Sequence, residues 1–486
     1  MKGLGRNGQV VTSAPVTDVG ERTASSPPRP GTEGRAPGLL LLIGLGSAAL
    51  LAAFVLFSAL HLNVPSGWSS RLGEEPDVTH VFPWLWLWKP FALSSNSTTP
   101  VDFMSRAKVI VCGIWLAYGV TVALVFRLPR VEGRRALAVI ATGAVLCHVV
   151  LVLTPPFLSG DLFQNSLFGR MVSAYGLNPY VDSAARLQGD PLWRYASWNF
   201  LTAHYGPSFT YLSAVVTWLS GGSVLWTAMG FKVMSALASL ATCWLIRDVS
   251  ARWKQDDGVR AFALYALNPL VLLETSGMGH NEAVVVLLAL AGVSLSLRGH
   301  PWLAIMAFVV SADMKQVTAI VGLLFTLRFV FEGEGWRERS RRAAGTLLVC
   351  AAVEIVLWAR FWAGAAVFST ARAILSRGPE LKLAAPAQGT SVVRLALFGA
   401  LVVACGASAA RGGAASRLLN SSALVGVVFL IWIFPFHWAW YAIPPLALAT
   451  AARRSRANAL LLSVILGYGL LFTQLYVRLH PLPPLH

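Results

Sequence analysis

Four short polar stretches interrupt a chain that is otherwise apolar, and each carries residues able to do chemistry. The first opens on Leu158-Ser159-Gly160-Asp161-Leu162-Phe163, directly after Pro155-Pro156. It runs on through Phe168-Gly169-Arg170 and Gly176-Leu177-Asn178-Pro179-Tyr180 to Trp198 and His204-Tyr205-Gly206-Pro207. An acid where a helix leaves a membrane can stay ionised and still face a partly dry cleft. Asp161 is therefore placed to act as a general base on a hydroxyl near the membrane. It is equally a plain cap for a helix starting at Leu162. The second stretch is Gly277-Met278-Gly279-His280-Asn281-Glu282, a glycine-loosened junction between two apolar runs. His280, Asn281 and Glu282 read either as a ligand lining or as a helix start, where the dipole favours an acid. In the third, Ser311-Ala312-Asp313-Met314-Lys315-Gln316, ionisable residues lie deep in apolar sequence and mark a site by default. Lys315 offers a point charge for a phosphate. An Asp313–Lys315 or Glu282–Lys315 pair that closes the bundle is the alternative. The fourth, Phe434-Pro435-Phe436-His437-Trp438-Ala439-Trp440-Tyr441, is an aromatic interface anchor in which His437 stands out as a binder of phosphate or sugar hydroxyls.

The elements that must position these residues are membrane helices. Of 486 residues, 56% are hydrophobic and 13% charged, with 18 Trp. Soluble domains carry roughly 25% charge. Disorder, coiled coil, collagen and disulfide scaffolds are excluded, and an all-α polytopic membrane protein is implied. The net charge of +17 lies in Arg/Lys clusters between apolar runs, as in cytoplasmic loops and unlike a nucleic-acid groove. Cys112, Cys147, Cys243, Cys350 and Cys405 all sit within apolar runs, so neither a metal site nor a disulfide framework is expected.

About thirteen spans are expected, at 39–60, 108–127, 136–154, 222–247, 260–275, 282–298, 301–314, 317–331, 343–363, 392–410, 418–434, 441–452 and 457–478. Those around 301–331 and 435–452 are short enough to be broken or re-entrant, which is tolerated only at a cavity. Residues 208–220 are too short for a full span and are assigned to the interface. With the basic clusters inside, the long segments 61–107 and 155–221 face outward. Trp84, Trp86 and Trp88 alternate before Lys89, in the manner of a segment lying on the bilayer surface. The division expected is a disordered cytoplasmic tail over 1–38, N-terminal helices and a loop over 39–135, a membrane module over 136–478 and a tail over 479–486. No secretory signal peptide is expected, because the first apolar run starts near Leu39. No Walker A, GxGxxG, HExxH or GxSxG signal appears, so no cofactor is expected and the transferred group does not come from a soluble nucleotide.

In order and placement, the four stretches resemble the GT-C membrane glycosyltransferases, most closely the polyprenol-phosphomannose-dependent α-mannosyltransferases of actinobacterial envelopes. The residues that carry the likeness are Ser159, Asp161 and Phe163, then Gly176–Tyr180, Trp198, Tyr205–Pro207, His280–Glu282, Lys315 and His437–Tyr441. The resemblance implies a GT-C-like fold over about 136–450 and a polyprenyl-monophosphate sugar as co-substrate. The acceptor would be a glycan or glycolipid at the outer face of a bacterial-type inner membrane. Asp161 carries over as the base of an inverting transfer. Lys315, His280 and His437, with Arg170 behind them, are candidates to face the leaving phosphate. Asn178, Asn281 and Glu282 join the binding set, and Tyr180, Tyr205 and Trp438 would stack on sugar or prenyl groups. A transporter of lipid-linked sugars and a non-catalytic envelope scaffold are the competing classes. Inverted repeats would favour transport, and none is evident.

Overall fold

The computed structural model describes residues 36–60, 81–91, 100–129, 133–156, 158–196, 199–254, 257–368, 392–434 and 438–476. Residues 1–35, Trp198, His437 and the tail after 476 lie outside the described residues, and so do the expectations attached to them.

Three long helices come first: α1 (Ala36–Ala59), α2 (Pro100–Arg127) and α3 (Gly133–Val152). Lipid supplies little hydrophobic drive between helices, so small residues that let backbones approach do the work. A methyl on Gly46 would fall 2.3 Å from the Thr121 hydroxyl on α2, and one on Gly143 would fall 2.9 Å from Ser47. Between α1 and α2, Pro83–Phe91 winds as a 3-10 helix. Residues three apart eclipse in that geometry. Leu85 and Trp88 therefore point inward while Trp86 is 63% exposed, and the Trp84 indole donates to the Leu153 carbonyl at 2.8 Å. The alternating tryptophans thus do not share one face; the winding separates them and docks the segment on the bundle.

Next come α4 (Asp161–Ser173) and α5 (Pro207–Ser220), joined by the loop 174–206. They touch at Gly169, where a methyl would meet the Ser213 carbonyl at 2.4 Å, and at Ser173, whose hydroxyl bonds that of Thr217 at 3.1 Å. Gly206 and Pro207 start α5, and Gly221, at φ +59°, ends it. At 14 residues α5 is about 21 Å long, short of the ~30 Å hydrocarbon layer, in keeping with its exclusion from the spans.

The remaining helices are α6 (Val224–Ala251), α7 (Asp257–Ala266), α8 (Pro269–Leu272), α9 (Glu282–Leu297), α10 (Pro301–Met314), α11 (Ala319–Phe331), α12 (Gly335–Trp358), α13 (Val392–Ala410), α14 (Ala415–Val428), α15 (Ile443–Ala451) and α16 (Arg456–Tyr476). No β-strand occurs among the described residues. The protein is thus an all-α polytopic membrane protein. Among the described residues, seven helices are long and apolar enough to cross a membrane: α1, α2, α3, α6, α13, α14 with its extension to Ile433, and α16. Pro269–Gly277 and Glu282–Leu297 form a broken pair bent by 115°, and α10 and the stretch Gln316–Phe331 are shorter apolar helices. The expected thirteen spans are therefore not thirteen straight crossings. Asn268-Pro269 stops α7, and the Asn268 side chain accepts from the Leu270 and Val271 N–H groups to start α8. The first turns of α12 carry Arg337, Arg339, Arg341 and Arg342, which makes that helix long without making it apolar.

Among the described residues two apolar cores result. One fills the bundle formed by α1–α3, α6–α11 and the C-terminal helices. The other lies under the loop and includes Phe82, Leu85, Leu162, Phe163, Phe168, Tyr180, Tyr195, Phe209 and Phe231. The polar residues gather where helix breaks meet the second core.

Candidate active site

Gly160 is the N-cap of α4, so Asp161 is the first helical residue and not the cap of a helix starting at Leu162. Its carboxylate is half-buried, its amide N–H donates to the Ser159 hydroxyl at 3.2 Å, and it lies within electrostatic reach of Tyr205, Tyr441 and Glu274.

α8 runs into a π-helical turn, Leu273–Gly277, before the chain reverses through Met278–Asn281. Gly279 has φ +72°, and a methyl there would fall 2.6 Å from Leu162, so only glycine lets this turn rest on the start of α4. The reversal delivers His280, Asn281 and Glu282 to one place, all 3% exposed or less. His280 packs edge-on against Trp440, ring centroids 4.2 Å apart, and Trp440 stacks flat on Trp438 at 5.1 Å.

Lys315 sits in the extended residue between α10 and the next turn, and its side chain is buried. Its ammonium is ion-paired with Glu282. It also reaches the Tyr205 hydroxyl at 3.3 Å and the Asn281 Oδ1 at 3.5 Å, and lies over the rings of Tyr441 at 4.2 Å and Tyr205 at 4.9 Å. Of the two pairs considered from sequence, Glu282–Lys315 forms. Asp313 turns the other way: its carboxylate accepts from the Ser208 N–H at 2.8 Å and hydroxyl at 2.5 Å, and its carbonyl from the Gly206 N–H at 3.0 Å. Asp313 thereby fastens the start of α5 beside Lys315.

Burial, foremost, pushes the Tyr205 phenol well up, with Lys315 opposing and Tyr441, Glu282 and Asp161 adding. Its neighbour His204 is pushed down to about 4 by burial and by Lys315. Tyr180 supports Tyr205 from behind: its hydroxyl donates to the Tyr205 carbonyl and bonds the Thr210 hydroxyl, each at 2.8 Å, while its ring lies against Trp358 and Phe361.

The structure therefore brings Asp161, Tyr205, His280, Asn281, Glu282 and Lys315 together, with Trp438 one stacked ring away. It does not bring Arg170, Asn178 or Tyr180 into that space. Arg170 lies nine residues along α4, about 13 Å from Asp161 at the helical rise. It is spent on the buried Asp190, Nε to Oδ2 at 2.5 Å, which also takes the Tyr175 hydroxyl at 2.9 Å. Asn178 builds its own turn, accepting from the Tyr180 N–H at 3.1 Å and donating to the Phe361 carbonyl at 2.9 Å. Tyr180 is buried in aromatic packing and does not present a stacking face.

Among the buried ionisable residues that went unnoticed in the sequence, two lie nearest the site or the helix breaks around it. Glu274 stands 3.4 Å from His280 Nδ1, and Lys232 on α6 donates to the Thr154 carbonyl. The rule that flagged Lys315, a lone charge inside apolar sequence, applied equally to both. Tyr441 and Trp440 were visible only as members of an aromatic run.

Part of the chain is similar to proteins of known class. Alpha-(1->6)-mannopyranosyltransferase A of Mycobacterium tuberculosis is 30% identical over 243 residues, covering 46% of this chain and 46% of that protein. The A and B proteins of the same name from Corynebacterium glutamicum are each 26% identical, over 180 residues (37% of this chain, 36% of that one) and 227 residues (43% and 37%). In each case less than half of the relative's length is matched. The sequence profile described as "Alpha-(1->6)-mannopyranosyltransferase, N-terminal domain" matches residues 87–332, which hold Asp161, Tyr205, His280, Glu282 and Lys315. With half its length under that profile, the chain belongs to the MptA_B family.

Proposed function

We propose that this protein is a mannosyltransferase that takes mannose from a polyprenyl-monophosphate donor and passes it to an envelope glycan or glycolipid. The reaction would run at the outer face of a bacterial-type inner membrane, with Asp161 as general base. The observation that carries this reading is that two helices begin beside Lys315, α5 at Pro207 behind Tyr205 and α9 at Glu282, while Asp161, at the start of α4, is in electrostatic reach of the same Tyr205 and of Tyr441. The partial positive charge of the α9 N-terminus adds to the Lys315 ammonium and favours an anion such as a phosphate. Developing charge on a leaving phosphate needs this kind of fixed donor set. The relatives' names supply the sugar.

In this scheme Asp161 takes the proton of the acceptor hydroxyl as its oxygen bonds to the anomeric carbon. The bond from that carbon to the phosphate oxygen breaks, and the phosphate leaves with the electron pair. Attack opposite the leaving group inverts the anomeric centre, so a β-linked donor gives an α-mannoside. Lys315 and His280 face the phosphate and sugar. His437 joins the binding set, and Trp438 and Tyr205 offer ring faces. The site is lined by side chains bonded to one another, so the sugar displaces contacts such as Lys315–Tyr205 as it enters.

The test is an in vitro assay with polyprenyl-phosphate mannose and membrane glycolipid acceptors. Asp161→Asn removes the base and keeps the shape, and transfer should fall by at least ~100-fold, since a positioned base contributes about 10²–10⁴. Full activity in that variant discards the assignment. Movement of lipid-linked sugar across liposomes without product would identify a transporter instead, a class to which the break before α9 also belongs structurally.

A further inference from the structure

Glu274 has no part in the reaction as described, yet its placement is elaborate. It is the only acid in the apolar stretch from Phe262 to Asn281. The π-helical turn Leu273–Gly277 inserts one extra residue and re-aims it. That turn is fastened to α3 by a hydrogen bond between His148 Nδ1 and the Ser276 hydroxyl. It is fastened to the following segment by the His280 N–H donating to the Glu274 carbonyl at 3.0 Å. The Glu274 carboxylate, 3% exposed, then lies 3.4 Å from Nδ1 of His280, also 3% exposed. On its other side the His280 ring meets Trp440. Glu274 Oε2 and both His280 ring nitrogens are buried without an aligned hydrogen-bond partner among the described residues. Buried polar atoms are nearly always bonded, so a pair left this close invites a small closing motion and a ligand for the outer nitrogen.

We infer that Glu274 is a positioning residue that acts through His280. It accepts the Nδ1–H of the imidazole and so leaves the Nε2 lone pair to receive a hydroxyl of the transferred sugar. A carboxylate behind a working histidine fixes both its tautomer and its ring orientation, as outer partners of metal-bound histidines do. No proton leaves the pair in this role, and the base of the transfer remains Asp161. The inference rests on the proposed sugar transfer for the identity of the hydroxyl, and on geometry alone for the pairing.

The two parts are tested separately on the full chain in detergent micelles or nanodiscs. With ¹⁵N-labelled histidine, and His280→Ala to assign the signal, wild-type His280 should show a protonated Nδ1 and an unprotonated Nε2. Glu274→Ala should move the signal toward the Nε2–H form that an unrestrained imidazole prefers. If Glu274→Ala does not fold, Glu274→Leu, which fills the space and accepts no hydrogen bond, takes its place. A wild-type His280 protonated at Nε2 alone, or a tautomer unchanged by either substitution, overturns the pairing. In the transfer assay, Glu274→Ala should lower kcat/KM about 10–100-fold, in line with outer-partner substitutions elsewhere. In a His280→Ala background it should cost nothing further. An equal loss in both backgrounds shows that Glu274 does not act through His280 and overturns the role. A wild-type protein that transfers no sugar ends the proposed reaction, and the tautomer measurement still decides the pairing.

Discussion

Removing the Lys315 ammonium should be the most damaging single change in the cluster, and more damaging than neutralising its partner. Glu282 is fully buried, and Lys315→Met strands its carboxylate while Asp161 and Glu274 remain nearby. Breaking a buried ion pair from one side costs about 3–5 kcal/mol. Glu282→Gln has a different outcome, because Lys315 keeps the Tyr205 hydroxyl at 3.3 Å, the Asn281 oxygen at 3.5 Å and two ring faces. Each desolvated cation–π contact is worth up to about 2 kcal/mol, so the loss should be nearer ~1–3 kcal/mol. The double variant Glu282→Gln/Lys315→Met leaves no buried charge at either position. Its loss should fall below the sum of the single losses by ~2 kcal/mol or more. Tryptophan fluorescence during SDS titration of the detergent-solubilised protein reads all three. The reasoning is refuted if Lys315→Met is as stable as wild type, if Glu282→Gln is the worse of the two, or if the single losses simply add.

Four further outcomes follow from contacts around the site. Tyr180→Phe leaves the Tyr205 carbonyl and Thr210 hydroxyl short of a partner, so stability in the same titration should fall by ~1–3 kcal/mol. Gly206→Ala would put a methyl 2.2 Å from the Asp313 carbonyl oxygen, which cannot swing aside; a loss at or above the ~3 kcal/mol end of overpacking costs is expected, with transfer abolished in the assay. Asp190→Asn weakens the Arg170 knot and should lower the unfolding midpoint while leaving transfer per folded molecule unchanged. His204 is held neutral down to about 4, below the 6.5 of an unfolded histidine, so the unfolded state binds the proton first and stability is lost as pH falls from about 6.5 to about 4. His204→Gln should remove about 1–3 kcal/mol of that acid sensitivity, read as midpoints at pH 7 and pH 4.5.

Much of this was legible in the chain. α9 and α10 begin at Glu282 and Pro301, as the apolar runs and the proline indicated, because in lipid an unbroken apolar run has few alternatives to helix. Motif order pointed to one site for Asp161, His280, Lys315 and His437; the first three meet in the fold, and His437 lies outside the described residues. What sequence could not show was direction within an element. Arg170 and Asp161 share α4, but nothing in the sequence says that a buried Asp190 claims the arginine at the far end. The π-helical turn that re-aims Glu274 is one residue of extra winding, and its anchor, His148, lies 128 positions away from Ser276. The count of straight crossings is not readable from apolar length for a related reason. Length is taken run by run, whereas the reversal at Gly279 joins Pro269–Gly277 and Glu282–Leu297 in one bent pair.

The grip of Asp313 on the start of α5 has a mechanical consequence. One residue of α10 holds the Gly206 amide through its carbonyl and Ser208 through its carboxylate, two positions before Lys315. The end of the long loop and the ammonium therefore travel as a rigid coupling. Any opening hinged at this corner would carry the positive charge with it, so access for a bulky lipid and attraction for its headgroup would change in the same movement.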